Sequence, residues 1–441
     1  MDFPTMSRIF LDPSRRLQAP PGLTCRTISR YNRCPWIREI RPLGRGSGRG
    51  QSARPFFLLA PAHIRATGAE VMKLSIERSA FLRCLSHVQS VVERRNTIPI
   101  LSNVLLDASQ GQLALIATDL DIEIVEKAEA KVASPGAVTA PAHMLYDIVR
   151  KLPEGALLQI EHTGEDPRIA LSAGRSRFQL ASLPRDEFPA MPAVELPYQF
   201  ALPSDALKRL IDRTRFAISL EETRYYLNGI YIHPLADKKI LRAVATDGHR
   251  LARAELALPK GAETMPGIIL PRKTVQEVRK LIEDDDGIVE VALSESKIRF
   301  EIGGIVLTSK LIDGTFPDYE RVIPAGAGQT LTFDGSQLKS AVDRVSAVST
   351  ERSRAVKLSL DNERLTLTVN NPDSGSATEE MVIAYDGTPI EIGFNAKYLL
   401  DIMDQLKGPE ARMIASDAQS PTIIRDAADE GVLYVLMPMR V

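Results

Sequence analysis

Cysteine is scarce in this chain: three residues in 441 (Cys25, Cys34 and Cys84), with no Cys-x-x-Cys pair among them. That count excludes a disulfide framework and a structural zinc site, and a reducing, cytoplasmic setting is expected. No apolar run approaches the ~18–20 residues that a membrane-crossing helix needs. There is no Gly-x-x-x-x-Gly-Lys-Ser/Thr loop, no Gly-x-Ser-x-Gly elbow and no His-Glu-x-x-His pair, and the six histidines are scattered. P-loop nucleotide hydrolysis, hydrolase chemistry at a serine elbow and zinc proteolysis therefore lack their motifs, and neither a cofactor nor a metal is expected. What is present is ordinary globular composition, 44% hydrophobic and 25% charged. At ~150 residues per domain the length corresponds to about three domains.

Lysine is missing altogether from residues 1–71, which carry twelve Arg against four acids (Asp2, Asp12, Glu39 and Glu70), a net charge of +8. The remaining residues hold 43 bases and 52 acids, a net charge of −9. Rich in Arg, Pro and Gly and without helical or strand periodicity, residues 1–71 are expected to be disordered. A transit segment, a nucleic-acid-binding tail and a start assigned upstream of a body that opens at Met72 all fit this composition. The last is preferred, because nothing later in the chain depends on these residues.

The body repeats itself. A helix with apolar positions at i, i+4 and i+7 recurs at Phe81, Leu85, Val88, at Leu207, Ile211, Thr214, and at Leu338, Val342, Val345. A second stripe, at i, i+3 and i+7, recurs at Leu145, Ile148, Leu152, at Val275, Val278, Ile282, and at Leu399, Ile402, Leu406. Six amphipathic helices at matched offsets, with β-branched runs between them (113–116, 230–233, 288–293, 298–302, 365–369 and 432–437), predict three similar domains. The Pro-containing stretches 195–199 and 324–329 are the expected joints, dividing the body into 72–196, 197–326 and 327–441. The fold class is α+β, with two helices per domain packed on antiparallel sheets.

Opposite the apolar stripes lie Arg83, Arg150, Lys151, Lys208, Arg209, Arg213, Arg215, Arg279, Lys280, Lys339 and Arg344. Each alone reads as a solvated helix face; their recurrence in three domains suggests a surface facing phosphates. Asp212, Asp401 and Asp404 share those faces and limit the inference. The best candidate for catalysis is Thr246-Asp247-Gly248-His249-Arg250, where Asp247 could orient His249 as a base. The same place in the first repeat reads Thr118-Asp119-Leu120-Asp121, without a histidine, so a shared tight turn explains the segment better. The C-terminal Val435-Leu436-Met437-Pro438-Met439-Arg440 ends an apolar strand in adaptable methionines suited to contact. Arg224-Tyr225-Tyr226 sets a base beside two aromatics, a pairing suited to stacking or phosphate contact.

From Met72 to the end, the chain resembles the bacterial DNA polymerase III beta subunit family, the β sliding clamps. The matches are Thr97-Ile98-Pro99-Ile100-Leu101, Arg175-Ser176-Arg177-Phe178, Arg224-Tyr225-Tyr226-Leu227-Asn228-Gly229, Thr246 to Leu251, Phe316-Pro317-Asp318-Tyr319, Gly393-Phe394-Asn395 and Met437-Pro438-Met439-Arg440. The resemblance implies a non-catalytic processivity factor: a head-to-tail homodimeric ring, lined by twelve helices, that encircles duplex DNA without reading its sequence. It implies a peptide groove between the second and third domains for the replicative polymerase, the clamp loader, and repair and translesion polymerases. By position that groove comprises Leu227, Thr246, Gly248, His249, Arg250, Leu251, Pro317, Arg321, Val322, Asn395, Tyr398 and Val435, Leu436, Met437, Pro438, Met439 and Arg440. Leu251, Val322, Leu436 and Met437 are expected as apolar walls, and His249, Arg250 and Asn395 as polar rims.

By the same resemblance, DNA contacts fall at Arg95, Arg150, Arg224, Tyr225, Tyr226, Arg272 and Lys273. The ring interface sets Arg175, Arg177, Phe178 and Leu180 of one chain against Ala347, Val348, Glu379 and Glu380 of another. Three segments depart from the family pattern: the acidic Leu220-Glu221-Glu222-Thr223 before Arg224, His143 where a base is usual, and an acid-poor 373–378. A β-rich scaffold that never closes a ring, and an enzyme centred on Asp247 and His249, are the competing readings.

Overall fold

The computed structural model describes residues 71–440 apart from 165, 284, 326, 327 and 350–353. The basic segment 1–70 and the expected joint at 326/327 lie outside the described residues. Six α-helices occur among the described residues: α1 (Arg78–Val88), α2 (Ala142–Lys151), α3 (Ser204–Thr214), α4 (Arg272–Leu281), α5 (Gly335–Ser346) and α6 (Ala396–Met403). Their apolar stripes face the core as the spacing requires, with Phe81, Leu85, Val88, Leu145, Leu207, Ile211, Val275, Val278, Leu338, Val342, Leu399 and Ile402 all buried. Three stripes extend past their helices: Leu152 and Ile282 are the C-caps of α2 and α4, and α6 stops at Met403, which leaves Leu406 in the turn beyond it.

Every helix follows directly on a strand, and two devices make the switch. Glu77, Asp334 and Asn395 cap α1, α5 and α6 by accepting backbone N–H groups of the first turn, at 3.0 Å from Ser79, 2.8 Å from Ser336 and 3.0 Å from Lys397. The strands before α2, α3 and α4 end instead in Pro141, Pro203 and Pro271, whose fixed φ turns the chain into the helix. Hydrogen bonds from Ser79 and Ala80 hold the Glu77 carboxyl below its usual value.

Four antiparallel sheets carry the helices, and two of them cross domain boundaries. In one eight-stranded sheet Ile305–Lys310 of the second domain pairs with Ile122–Glu129 of the first, Leu307 opposite Ile124. In the other, Asp429–Leu436 of the third domain pairs with Arg250–Ala257 of the second, Leu251 opposite Val435. The remaining sheets have five and four strands and end in Ser176–Ala181 and Gly375–Val382, each paired on one side only among the described residues. The main apolar core runs through all three domains. A smaller cluster, including Leu227, Val244, Leu251, Phe316, Tyr319 and Val435, lies where the second domain meets the third. Cys84 is buried in the main core, and burial, above all other causes, pushes its thiol up to about 12, so it is inert.

Candidate functional site

Strand register decides which residues at the junction of the second and third domains face the smaller cluster. Leu251 and Val435 are cross-strand partners and both enter that cluster, together with Leu227. Leu436 pairs with Arg250 on the opposite side and is fully buried in the main core, so it forms no wall of a groove. Above the cluster stand exposed apolar groups: Val322 at 43% accessibility and Met437 and Met439 at 38% each. The tail that carries the methionines is pinned, because the Met437 N–H donates to the His249 carbonyl at 2.9 Å and the Met439 N–H to the Gly393 carbonyl at 2.8 Å. Pro438 between them has no N–H to satisfy. Pro317, Arg321 and Arg440 are exposed beside this ledge.

The turn 246–250 is built by its own side chains. Asp247 Oδ1 accepts the His249 and Arg250 N–H groups at 2.9 and 3.0 Å, and its Oδ2 accepts Arg250 Nε at 3.1 Å. Thr246 Oγ1 donates to the Arg250 carbonyl at 2.7 Å and accepts the Gly248 N–H at 3.1 Å. Gly248 has φ +90°, a conformation that favours glycine, and a Cβ there would lie 2.6 Å from Arg224 Nη1 and displace the end of that side chain. The carboxylate of Asp247 is thus committed to backbone and guanidinium. The His249 ring instead stacks on Tyr398, centroids 6.0 Å apart. Among the described residues no carboxylate bonds to this imidazole, and the catalytic reading of Asp247 and His249 fails on geometry.

Arg250 is not a rim residue either. Its side chain is nearly buried, donates to Asp401 at 2.5 Å and to the Phe216 carbonyl at 2.6 Å, and lies 4.4 Å from the centroid of Tyr398. It ties the second domain to α6 of the third. Asn395 is likewise occupied, as the cap of α6.

The residues expected at DNA are spread along the helix side and the adjoining loops. Arg95 and Arg272 are exposed, and neither makes an ion pair among the described residues. Arg150 pairs with Asp147 at 3.0 Å and lies 5.5 Å from the centroid of the Tyr146 ring. Lys273 reaches across to the first domain, to Glu93 at 3.1 Å and to Asp119. Arg224 makes two bonds to Glu221, at 2.8 and 2.7 Å, and these hold the Glu221 carboxyl below its usual value. The acidity of the loop before Arg224 therefore has a structural use. Tyr225 is exposed and Tyr226 half-buried.

Most of the helix bases are likewise matched within the chain. Arg209 and the buried Arg213 share Asp429, Arg215 and Arg279 share Asp212, Lys208 meets Glu283, Lys280 meets Glu277, and Lys339 meets Asp404. His143, in the position where a base is usual, bridges Gln89 at 2.8 Å and the Val92 carbonyl at 2.9 Å.

Family models for the DNA polymerase III beta subunit match three consecutive parts of the chain: the N-terminal domain over residues 72–192, the central domain over 201–318 and the C-terminal domain over 320–440. The chain belongs to this family. A beta sliding clamp of Caulobacter vibrioides is 55% identical over 372 residues, covering 84% of this chain and all of that one. The Escherichia coli K12 beta sliding clamp is 39% identical over the same span, again 84% and 100%. A crystal structure of the Caulobacter crescentus clamp superposes with a TM-score of 0.83 at 54% identity, covering 85% of this chain and 100% of that one. One of the Pseudomonas aeruginosa clamp gives 0.80 at 40%, with 84% and 100% covered. The family fixes the role as that of a non-catalytic sliding clamp, a processivity subunit of a DNA polymerase.

The linker between the second and third domains is held by residues that lie far from it in the chain. The side chain of Arg242 is 4% exposed and donates to the Tyr319 hydroxyl at 2.8 Å, Glu320 at 2.6 Å and Glu255 at 2.7 Å. Since arginine can only donate, the Tyr319 hydroxyl accepts from it; His233 Nε2 lies 2.9 Å from the same hydroxyl, which donates to it when that nitrogen carries no proton. Tyr231 stacks on both His233 and Phe316. Sequence reasoning passes over Arg242, His233 and Tyr231, because their partners lie some 80 residues away.

The surroundings favour a neutral His233. Burial and then Arg242 push the pKa of His233 below 6.5, against weaker opposing pulls from a hydrogen bond to the Pro234 backbone and from Glu320 and Glu255. The unfolded chain then binds the proton more tightly than the folded one, so this contribution to stability is complete above pH ~6.5 and is lost as pH falls toward the folded value. Hydrogen-exchange protection factors in residues 316–323, corrected for the intrinsic pH dependence of exchange, are expected to fall below pH 6.5 in the wild type and to lose that fall in His233→Gln. Equal pH profiles for the two proteins would refute the assignment.

Proposed function

We propose that two copies of this chain close head to tail into a ring around duplex DNA, and that the methionine ledge receives short peptide segments of its partners. The observation that carries the ring is a pair of unmatched sheet edges. The last strand of the second domain pairs with the first domain, and the last strand of the third pairs with the second. The corresponding last strand of the first domain, Ser176–Ala181, and the corresponding acceptor, Gly375–Val382, each lack that neighbour among the described residues. A second copy supplies it, and a head-to-tail contact that repeats by rotation closes a ring. Such a pairing also removes two edges that would otherwise template aggregation.

Register transfers as well. The first junction sets Val306, Leu307, Thr308 and Ser309 opposite Val125, Ile124, Glu123 and Ile122. Counting from the matching hairpin turns and tight turns, this places Arg177 opposite Thr378, Phe178 opposite Ala377, Gln179 opposite Ser376 and Leu180 opposite Gly375. Phe178 and Ala377 are both partly buried against the core, as cross-strand partners on an inner face should be. Arg175 and Arg177 then approach Glu379 and Glu380, with Ala347 and Val348 at the end of α5 alongside. Glu379 is already bonded to Arg344, at 3.0 and 2.5 Å, so Glu380 is the freer acid for the partner.

Six helices from each copy line the ring, giving twelve, with the three domains of each chain divided near 196/197 and 326/327. Because most helix bases are neutralised within the chain, few phosphates are gripped, which suits a ring that slides and reads no sequence. Arg95, Arg150, Arg224, Tyr225, Tyr226, Arg272 and Lys273 are the proposed DNA contacts. The partners of the ledge are the replicative polymerase, the clamp loader, and repair and translesion polymerases, all in the cytoplasm.

The decisive experiment is retention on nicked circular DNA after loading by a clamp loader with ATP, measured before and after the circle is linearised. Retention on the circle and rapid loss from linear ends are expected; equal, loader-independent binding to both forms would refute encirclement. Met437→Asp is expected to leave the dimer intact by sedimentation and to lower stimulation of the polymerase by tenfold or more, on the order of a hot-spot residue's effect, with loading reduced as well because the clamp loader shares the ledge. Unchanged stimulation would remove the ledge from the reading.

A further inference from the structure

On the sheet that joins the second and third domains, the face turned away from the helices carries two neighbouring rows of side chains. The first row is apolar. Leu251 is opposite Val435, Val435 opposite Ile423 and Ile423 opposite Ile414, and all four belong to or pack against the smaller cluster beneath the methionine ledge. Two residues along each strand, ~7 Å away, the second row reads Arg253, Leu433, Arg425 and Arg412. Arg253 is opposite Leu433 and Arg425 opposite Arg412, with Arg425 at the irregularity just past the Ile424–Tyr434 pair. Ala252, Ala254, Ile424 and Met413, which alternate with these arginines, are buried in the main core on the helix side.

Charge in the second row is not balanced within the chain. Arg242, on the neighbouring strand, holds Glu255 Oε1 at 2.7 Å and Glu320 at 2.6 Å. Arg253 shares that Glu255 oxygen at 3.3 Å; its side chain is 16% exposed, and its Nε is buried without a hydrogen bond. Arg412 meets Glu410 at 3.5 Å, and Arg425 pairs with no acid among the described residues. Four arginines thus face three acids. Burial first, then Arg242 and Arg425, lower the pKa of the Arg253 guanidinium against an opposing pull from Glu255. Like charges directly across a strand pair are destabilising, so the stability of the sheet does not account for Arg412 opposite Arg425.

A bound carboxylate would answer both the surplus charge and the idle guanidinium donors. A duplex encircled by the helices is on the wrong side to supply the anion, because α3 and α6 pack on the opposite face of this sheet. Residues 1–71 carry a net charge of +8 and are repelled. What adjoins the row is the ledge. We propose that Arg253, Arg425 and Arg412 form a carboxylate-binding row that receives acidic residues flanking the apolar anchor of a partner peptide seated on the methionine ledge. The assignment rests on the ledge reading above and names the chemistry of the flanking residues that the ledge selects. Elsewhere on a body of net charge −9, added acid in a peptide works against binding.

Two labelled peptides test it, both containing the clamp-binding segment of the cognate replicative polymerase, one flanked at each end by Glu residues and the other by Gln. Binding to the full-length protein is followed by anisotropy at low and at high KCl. The Glu-flanked peptide is expected to bind about tenfold more tightly at low salt, and this advantage to vanish at high salt, where added ions screen it. Arg253→Gln with Arg425→Gln is expected to abolish the advantage while binding the Gln-flanked peptide as the wild type does. Lys238→Gln with Lys260→Gln, which removes the same charge from exposed positions elsewhere in the second domain, is expected to keep it. Arg425→Gln alone is expected to reduce the advantage with Tm unchanged or raised, since it relieves the repulsion from Arg412, so misfolding does not explain the loss. An advantage that is missing in the wild type, or that survives in the double arginine variant, overturns the row; weaker binding of both peptides by Met437→Asp then leaves the ledge standing. Met437→Asp without effect on either peptide would sink the ledge itself. A double arginine variant that loses affinity for a single-stranded oligonucleotide yet keeps the Glu advantage also overturns the proposal and assigns the row to nucleic acid.

Discussion

Phe178→Asp is expected to turn the protein into a monomer. The side chain sits on the open edge strand Ser176–Ala181, half-buried at the margin of the core, and the transferred register sets it against Ala377 of a second copy. A central aromatic of an interface contributes ~2–4 kcal/mol, or about 30- to 1000-fold in the dimer dissociation constant. A carboxylate in its place adds the cost of burying a charge without a partner. Because Phe178 is only partly covered within one chain, the fold should survive, and circular dichroism would register that independently. Sedimentation at micromolar concentration is expected to give one chain, and retention on circular DNA should vanish with the dimer. A Phe178→Asp protein that remains dimeric would place the seam elsewhere.

Arg250→Ala is expected to carry the largest penalty in stability. The guanidinium spans two domains, with Asp247 and the Phe216 carbonyl on one side and Asp401 on the other, and its side chain is 9% exposed. Removing one member of a buried charge cluster typically costs ~3–5 kcal/mol, since the carboxylates left behind lose their counter-charge. Asp401 is 29% exposed and water can reach it, so the lower end, ~3 kcal/mol, is expected. Urea unfolding would measure it, and hydrogen exchange should localise the loosening to α6 and to the turn 246–250. A change below ~0.5 kcal/mol would mean that Arg250 is an ordinary surface base.

What the sequence exposed and what it concealed divide along a physical line. Helix stripes are local patterns, and Phe81, Leu207 and Leu338 mark their helices without reference to anything else in the chain. Turn chemistry is local too, which is why Asp119 and Asp247 can be matched across repeats. Strand pairing is not local. That Leu436 faces the main core while Val435 faces the smaller cluster depends on a register with Arg250 and Leu251, about 185 residues earlier in the chain. The fate of the bases was concealed for the same reason. Arg213 and Asp429 lie 216 residues apart, and Arg250 and Asp401 lie 151 apart. Composition therefore suggested a basic lining, whereas most of the helix bases are paired with acids of the same chain. Family resemblance pointed to the chain segments that form the ledge but could not reveal that Arg242, His233 and Tyr231 brace the linker beside it.

Sheets that continue from one domain into the next have a mechanical meaning. Bending a chain at either internal junction would mean shearing a strand ladder whose register is fixed by side chains on both faces. Neither junction can serve as a soft hinge. The linkers only complete a joint that the ladders already lock. If two such chains form a ring, the place to pry it open is the seam between copies, where the same ladder is made but no peptide backs it. An opening machine then needs to break one strand pair rather than deform a domain, and the ring recloses by zipping a register that each half already carries.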